Sequence, residues 1–175
     1  MATLAAVPVI ITAIALGTKA GALMGLVAGT FSFLVWTFMP PTPITAFIFT
    51  PFYSIGDVHG NFWSLVICFV PRILIGVVAG ATYHAFSRIF KKKFLMYGLS
   101  GILGSLANTF GVMGGVYVFF GQEYAQAMNM AYNLLLGIIG TTILLNGTAE
   151  AVIGGVAAAA ICPPLQKVLK KSNGL

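Results

Sequence analysis

The feature that most constrains this chain is a series of long apolar segments that contain almost no charged residues. Of its 175 residues, 59% are hydrophobic and only 7% are charged, whereas soluble domains carry about a quarter charged residues. A segment surrounded by lipid must satisfy its backbone hydrogen bonds internally, which favours helices. The sequence therefore predicts an all-α, polytopic membrane helical bundle that forms a single domain over residues 1–175.

Five apolar segments are visible, and we name them spans A to E. They cover about residues 4–16, 22–38, 62–86, 95–120 and 134–162. A membrane-spanning helix needs about 20 residues, so spans C, D and E are long enough to cross a bilayer. Span A is short, and only a turn at residues 17–21 separates it from span B. The two form either an antiparallel pair or one long, interrupted hydrophobic segment.

Basic residues at the ends of the spans predict the orientation, because cytoplasmic loops are enriched in Lys and Arg. Such residues follow spans C and E, and they are Arg88, Lys91, Lys92 and Lys93, and Lys167, Lys170 and Lys171. We therefore expect the C-terminus in the cytoplasm. The loop over about 39–61 and the loop that carries Glu123 contain neither Lys nor Arg, and we expect them outside. The alternation leaves almost no tail at the N-terminus, and we expect a further helix before Met1.

Polar residues near the middle of three spans are the candidates for a site. Arg72 lies in span C, Asn108 in span D, and Asn146 and Glu150 in span E. Ionisable groups inside a membrane are costly and are therefore functional candidates. One interpretation is a structural Arg72–Glu150 ion pair bridged by Asn108. The other is a polar ligand site in which Arg72 binds a carboxylate, and both hold if the pair forms only without ligand.

Two further patterns concern surfaces. The loop over about 39–61 carries Phe49, Phe52 and Tyr53, and such an aromatic loop either lies on the membrane interface or packs into the protein as a lid. Span B carries Gly21, Gly25 and Gly29 at steps of four residues. Glycine faces of this kind allow helices to pack closely, either within the chain or with another subunit.

Other classes of function find little support. The two histidines are predicted on opposite sides of the membrane, and the two cysteines have no metal-binding spacing. No phosphate-binding or catalytic motif is present, so we expect neither a metal, nor another cofactor, nor an enzyme. The net charge of +6 is explained by the basic ends of the spans and does not indicate nucleic-acid binding.

Several stretches resemble the S components, which are the substrate-binding subunits of energy-coupling factor (ECF) vitamin transporters. They follow one another in order over nearly the whole chain, and they are Val7–Ile11, Leu16–Ala22, Thr45–Phe52, Val70–Gly76, Gly104–Thr109 and Asn146–Ala151. The resemblance implies a bacterial plasma-membrane protein of six helices, the first without a counterpart here. It also implies a vitamin pocket near the outer side under external loops. The implied partners are a transmembrane T subunit, docked on small-residue faces of early helices, and two ATPase subunits that hydrolyse ATP.

Within the family, the sequence looks most like the pantothenate-binding members. The expected binding residues are Arg72, Asn108, Asn146 and Glu150, with Phe49, Phe52 and Tyr53 as the lid; Gly21, Gly25 and Gly29 are expected to dock the partner. Binders of pyridoxine or hydroxymethylpyrimidine share much of the same framework and remain alternatives. Two other hypotheses are a stand-alone proton-coupled secondary transporter that uses Glu150, and a structural subunit without a ligand.

Overall fold

The computed structural model describes residues 5–90 and 93–172, and most of them are helical. The α-helices are α1 (Ala6–Leu16), α2 (Thr18–Phe38), α3 (Phe62–Ile89), α4 (Lys93–Ala127), α5 (Leu135–Thr142) and α6 (Thr148–Ser172). Short 3₁₀ helices cover Pro43–Ile48 and Tyr132–Leu134, and a π-helical turn covers Ile143–Gly147. Strands β1 (Ser54–Ile55) and β2 (Val58–His59) form a small antiparallel hairpin. The predicted all-α membrane bundle is confirmed.

Four helical segments of the described ranges are long and apolar enough to cross a membrane, and they are Thr18–Phe38, Phe62–Ile89, Lys93–Ala127 and Tyr132–Leu169. They correspond to spans B to E, and the protein is a multi-pass membrane protein. Each begins or ends a few residues beyond its apolar span, because helical hydrogen bonding continues into the flanking polar residues. Helix α1 has 11 residues and is about 16 Å long. Lys91 and Lys92, which contribute to the predicted orientation, lie outside the described residues.

Spans A and B form two helices that fold back on each other. Gly17 separates α1 from α2 and has a φ of 98°, a backbone conformation that favours glycine. A Cβ atom on Gly21 would collide with Ala13 of α1, although one continuous helix would hold these residues about 12 Å apart. The antiparallel arrangement is therefore correct, and the alternative of one interrupted segment is wrong.

Glycines set the close packing of the other long helices. A Cβ on Gly25 of α2 would strike the backbone of Arg72 in α3, and a Cβ on Gly101 of α4 would strike the backbone of Gly154 in α6. Helix α4 also packs closely on α3, where Gly111 contacts Pro71. Small residues let helix backbones approach within a membrane, so α3 and α4 become the centre of the bundle.

The end of the bundle opposite the loop over 39–61 is held together by Gln166 of α6. Its amide nitrogen donates to the carbonyl of Ile14 at 3.1 Å, and its amide oxygen accepts from the Tyr97 hydroxyl at 2.7 Å and from the Tyr83 hydroxyl at 3.2 Å. The two tyrosine rings stack with their centroids 5.4 Å apart. One side chain thus connects α1, α3, α4 and α6 on the side opposite to the loop over 39–61.

Candidate functional site: a cavity lined by Arg72 and Asn108

Arg72 is buried in α3, and the residue before it in the sequence makes one of its hydrogen bonds possible. The preceding residue, Pro71, has no backbone N–H, so the carbonyl of Ile67 four residues earlier lacks its usual helical donor. Nη1 of Arg72 donates to this carbonyl at 2.9 Å, and Nη2 donates to Oγ of Ser32 in α2 at 3.4 Å. The side chain is only 8% exposed. The Pro71–Arg72 pair therefore both frees a carbonyl and supplies the cation that binds it.

Phe49, in the loop over 39–61, lies against this guanidinium. The Cζ atom of Arg72 is 5.3 Å from the centre of the Phe49 ring, within the range of a cation–π contact. The loop segment is held by the first turn of α3, because Oγ of Ser64 donates to the carbonyl of Phe47 at 2.6 Å. The Phe47 ring is fully buried and meets Phe120 edge-on at 5.7 Å. Of the two alternatives for the aromatic loop, packing into the protein describes this part of it.

Phe52 and Tyr53, the other two predicted lid residues, lie farther out. The Phe52 side chain is 76% exposed, and its ring centre is 6.1 Å from that of Phe33 in α2. Tyr53 is half-buried, and its carbonyl accepts from the backbone N–H of Gly60, next to the β1–β2 hairpin. The structure therefore brings Phe49 to Arg72 but does not place the other two aromatic residues among the cavity-lining residues, and their role stays a prediction.

Arg72 and Asn108 line one cavity, as the sequence predicts for a shared site. Ser32 of α2 is the third polar residue, and the remaining walls are apolar, formed by Ala5, Ala6, Ala28 and Ile75. The cavity volume is about 20 Å³, which is room for about one water molecule, so a larger ligand requires the surrounding helices to move apart. Apolar walls with a few convergent polar groups are typical of small-molecule sites. The cavity can thus offer donors from Arg72 and an acceptor from Asn108 to one ligand.

Two polar atoms of α4 are buried here without a hydrogen-bond partner among the described residues. They are Oδ1 of Asn108, whose side chain is 6% exposed, and Oγ of Ser105, whose side chain is 1% exposed. A buried polar atom without a partner costs about 1–3 kcal/mol. Because Oδ1 of Asn108 is unpaired, it does not bridge Arg72 and Glu150 in this state. A ligand that brings an O–H or N–H donor would remove this cost.

Glu150 and Asn146 lie on the α6 side of α4. An oxygen of the Glu150 carboxylate accepts from Oγ1 of Thr109 at 3.3 Å, and Glu150 also interacts electrostatically with Arg72. Asn146 lies in the π-helical turn and is exposed. Turns of this kind are frequent at functional sites. The structure therefore links Glu150 to the site through α4, whereas a ligand contact of Asn146 stays a prediction.

The three glycines of α2 that were expected to dock a partner pack within this chain. Gly21 lies against Gly76, Gly25 against the backbone of Arg72, and Gly29 against the ring of Phe69, all in α3. These contacts place Ser32 and the outer end of α2 beside the cavity. Docking of another subunit on these glycines stays a prediction, and it would require α3 to move away.

Sequence reasoning missed Ser32 and Trp36, which also belong to the site. Ser32 binds Arg72, and the Trp36 ring stacks on Phe49 with the centroids 4.5 Å apart. A signal was present, because both residues continue the face of α2 that carries Gly25, at steps close to four residues. Thr109, the partner of Glu150, and Ser105, the second unpaired group, were likewise not predicted from the sequence.

Comparison with known proteins identifies the class to which this bundle and cavity belong. The family of substrate-specific components of ECF transporters matches residues 1–165. The chain belongs to this family. As an S component it is a substrate-binding subunit, which agrees with a buried polar cavity inside a membrane bundle. The chain is also 37% identical to the pantothenic acid transporter PanT of Lactococcus lactis subsp. cremoris (strain MG1363) over 171 residues, which cover 97% of this chain and 80% of that protein.

Proposed function

We propose that this S component binds the vitamin pantothenate in the cavity between Arg72 and Asn108. The observation that carries the proposal is the guanidinium of Arg72, held in place at the wall of a cavity, in a chain 37% identical to a pantothenic acid transporter. Pantothenate has a carboxylate at one end and hydroxyl groups at the other, with an amide between them. Its charge and its donors match the cation of Arg72 and the unpaired acceptor of Asn108.

The chemistry of recognition follows from these two residues. A guanidinium has five N–H donors, and the contacts with Ile67 and Ser32 use two of them. The others are suited to a bidentate contact with a carboxylate, which is stronger than a hydrogen bond between neutral groups. Oδ1 of Asn108 accepts a hydroxyl or amide hydrogen. Glu150 and Asn146 complete the polar wall on the α6 side, and Phe52 and Tyr53 close over the ligand together with Phe49.

The remaining features of the transporter belong to this proposal as well. The protein works with a transmembrane T subunit and with two ATPase subunits, which hydrolyse ATP for the complex. Its C-terminus and the basic ends of α3 and α6 face the cytoplasm of a bacterial cell, and the loop over 39–61 faces outside. The proposed contact with the T subunit is the glycine face of α2, and because Gly21, Gly25 and Gly29 pack against α3 within this chain, docking there requires the two helices to separate.

Titration calorimetry on the purified protein in lipid nanodiscs tests the ligand. We expect pantothenate to bind, and we expect Arg72→Ala to weaken binding by more than about 10-fold, since a hydrogen bond to a charged group contributes about 1.5–3 kcal/mol. The matched control is Arg88→Ala, because Arg88 lies exposed in the last turn of α3. Normal binding by a correctly folded Arg72→Ala variant would overturn the site, and binding of pyridoxine or hydroxymethylpyrimidine instead would replace the ligand.

A second candidate is a stand-alone proton-coupled transporter in which Glu150, a carboxylate near the middle of a span that accepts from Thr109, carries the proton. The two candidates differ in their need for ATPase subunits. Vesicles that contain this chain alone separate them. Uptake that persists there and follows an imposed proton gradient would favour Glu150 as a carrier, whereas uptake only with the T and ATPase subunits supports the S component mechanism.

A further inference from the structure

Two consecutive residues at the outer end of α2 hold two consecutive residues of the outer loop. The indole of Trp36 stacks on the ring of Phe49, with centroids 4.5 Å apart and an angle of 24° between the planes. The hydroxyl of Thr37 donates to Oγ1 of Thr50 at 2.8 Å, and Thr50 is fully buried. The position of Phe49 is therefore set by α2 rather than by the loop alone.

The contact of Phe49 with Arg72 is compatible with a bound carboxylate. An aromatic ring attracts a guanidinium through the face of the ring, whereas a carboxylate accepts hydrogen bonds from the N–H groups in the guanidinium plane. Phe49 therefore covers the cation without using its in-plane donors. It also excludes water from one side of Arg72, which strengthens an ionic contact on the side of the cavity.

The part of α2 that precedes Trp36 packs closely against α3. Gly29 of α2 packs against Phe69, and Gly25 packs against the backbone of Arg72 itself, so α2 cannot shift toward or away from α3 without a collision or a gap. Ser32, four residues before Trp36, lines the cavity and binds Arg72. One face of α2 thus carries Ser32, which lines the cavity and binds Arg72, and Trp36, which stacks on Phe49.

We propose that Trp36 is a positioning residue for anion recognition: by holding Phe49 over Arg72 it sets the preference of the site for a carboxylate ligand over a neutral molecule of the same shape. The choice of pantothenate as the probe rests on the proposed function. The role of Trp36 in holding the loop does not depend on that choice.

The experiment uses Trp36→Leu, the conservative variant Trp36→Phe, and Trp63→Leu as the matched control. Trp63 forms a similar stack with Phe119, at 4.1 Å and 7°, at the outer end of α3. Affinities are measured for pantothenate and for pantothenol, in which a CH₂OH group replaces the carboxylate. In parallel, hydrogen exchange of the loop segment 43–53 is measured without ligand.

We expect Trp36→Leu to bind pantothenate about 5- to 20-fold more weakly, in line with the strength of a desolvated cation–π contact, and to bind pantothenol within about twofold of the wild type. Trp36→Phe should restore most of the preference, and Trp63→Leu should keep it. Loop exchange should accelerate in Trp36→Leu and stay unchanged in Trp63→Leu.

Two results would overturn the role of Trp36: an unchanged ratio of the two affinities in Trp36→Leu, including an equal loss for both ligands, or the same loss of preference in Trp63→Leu. If the wild-type protein binds neither probe, the proposed function fails by itself. Loop exchange then decides the role of Trp36, because a rate unchanged by Trp36→Leu contradicts it and a faster rate supports it.

Discussion

Replacing Pro71 with alanine should make the protein more stable and a weaker binder at the same time. Alanine at position 71 returns a backbone N–H to α3, and this N–H can donate to the carbonyl of Ile67. That carbonyl at present accepts from Nη1 of Arg72 at 2.9 Å. The guanidinium of Arg72 then shares or loses its hydrogen bond to the Ile67 carbonyl. Its other hydrogen bond, to Oγ of Ser32, is longer at 3.4 Å and holds the side chain less tightly.

The two effects have different sizes. Proline inside a helix costs up to about 3 kcal/mol relative to alanine. Removing the ring also loosens the contact with Gly111, a small cavity that costs about 1 kcal/mol. The free energy of unfolding should therefore rise by roughly 1–2 kcal/mol. A hydrogen bond of a charged group contributes about 1.5–3 kcal/mol, and a carbonyl can accept two donors, so partial loss predicts an affinity about 3- to 10-fold lower.

Thermal unfolding in nanodiscs measures the change in stability, and calorimetric titration of the same preparation with pantothenate measures the change in affinity. The control is Pro164→Ala, because Pro164 is also inside a helix, lies exposed in α6 and is not followed by an arginine. We expect Pro164→Ala to leave the affinity unchanged. An affinity of Pro71→Ala equal to that of the wild type would refute the argument that the freed carbonyl positions Arg72, whatever the change in stability.

Two further substitutions test the site and its support. Asn108→Leu keeps a similar size but removes the unpaired acceptor. We expect the pantothenate affinity, measured by calorimetry, to fall about 10-fold while the thermal stability stays equal to or above that of the wild type. A drop in both affinity and stability would mean that Asn108 is structural. Gly25→Ala places a Cβ against the backbone of Arg72 and should lower the melting temperature by several degrees. The control Gly137→Ala, at a position with open space around it, should leave the melting temperature unchanged. Equal melting temperatures of the two variants would contradict the close approach of α2 and α3.

The sequence alone singled out Arg72 and Asn108, which line one cavity, because an ionisable or amide side chain within an apolar span stands out against its surroundings; their contact with a ligand stays a prediction. The helical class was also predicted correctly, from the apolar spans. It did not reveal Ser32 or Trp36 as site residues, since serine and tryptophan are ordinary in membrane helices and the face of α2 acquires meaning only once α3 is known to pack on it. The π-helical turn at Asn146 depends on hydrogen bonds over five residues, which no local pattern specifies.

The arrangement around Arg72 explains how a membrane bundle keeps a cation ready for a ligand. An unpaired charge in a low-dielectric interior is expensive, and here the cost is reduced by neutral groups: the carbonyl of Ile67, the hydroxyl of Ser32 and the ring of Phe49. None of these groups carries a charge that would compete with a ligand carboxylate. Glu150 does, and its electrostatic interaction with Arg72 lowers the attraction that a second carboxylate would gain. The guanidinium is already held by these contacts, and Oδ1 of Asn108 is buried without a partner among the described residues, so in the proposed complex the ligand would have fewer polar groups to order.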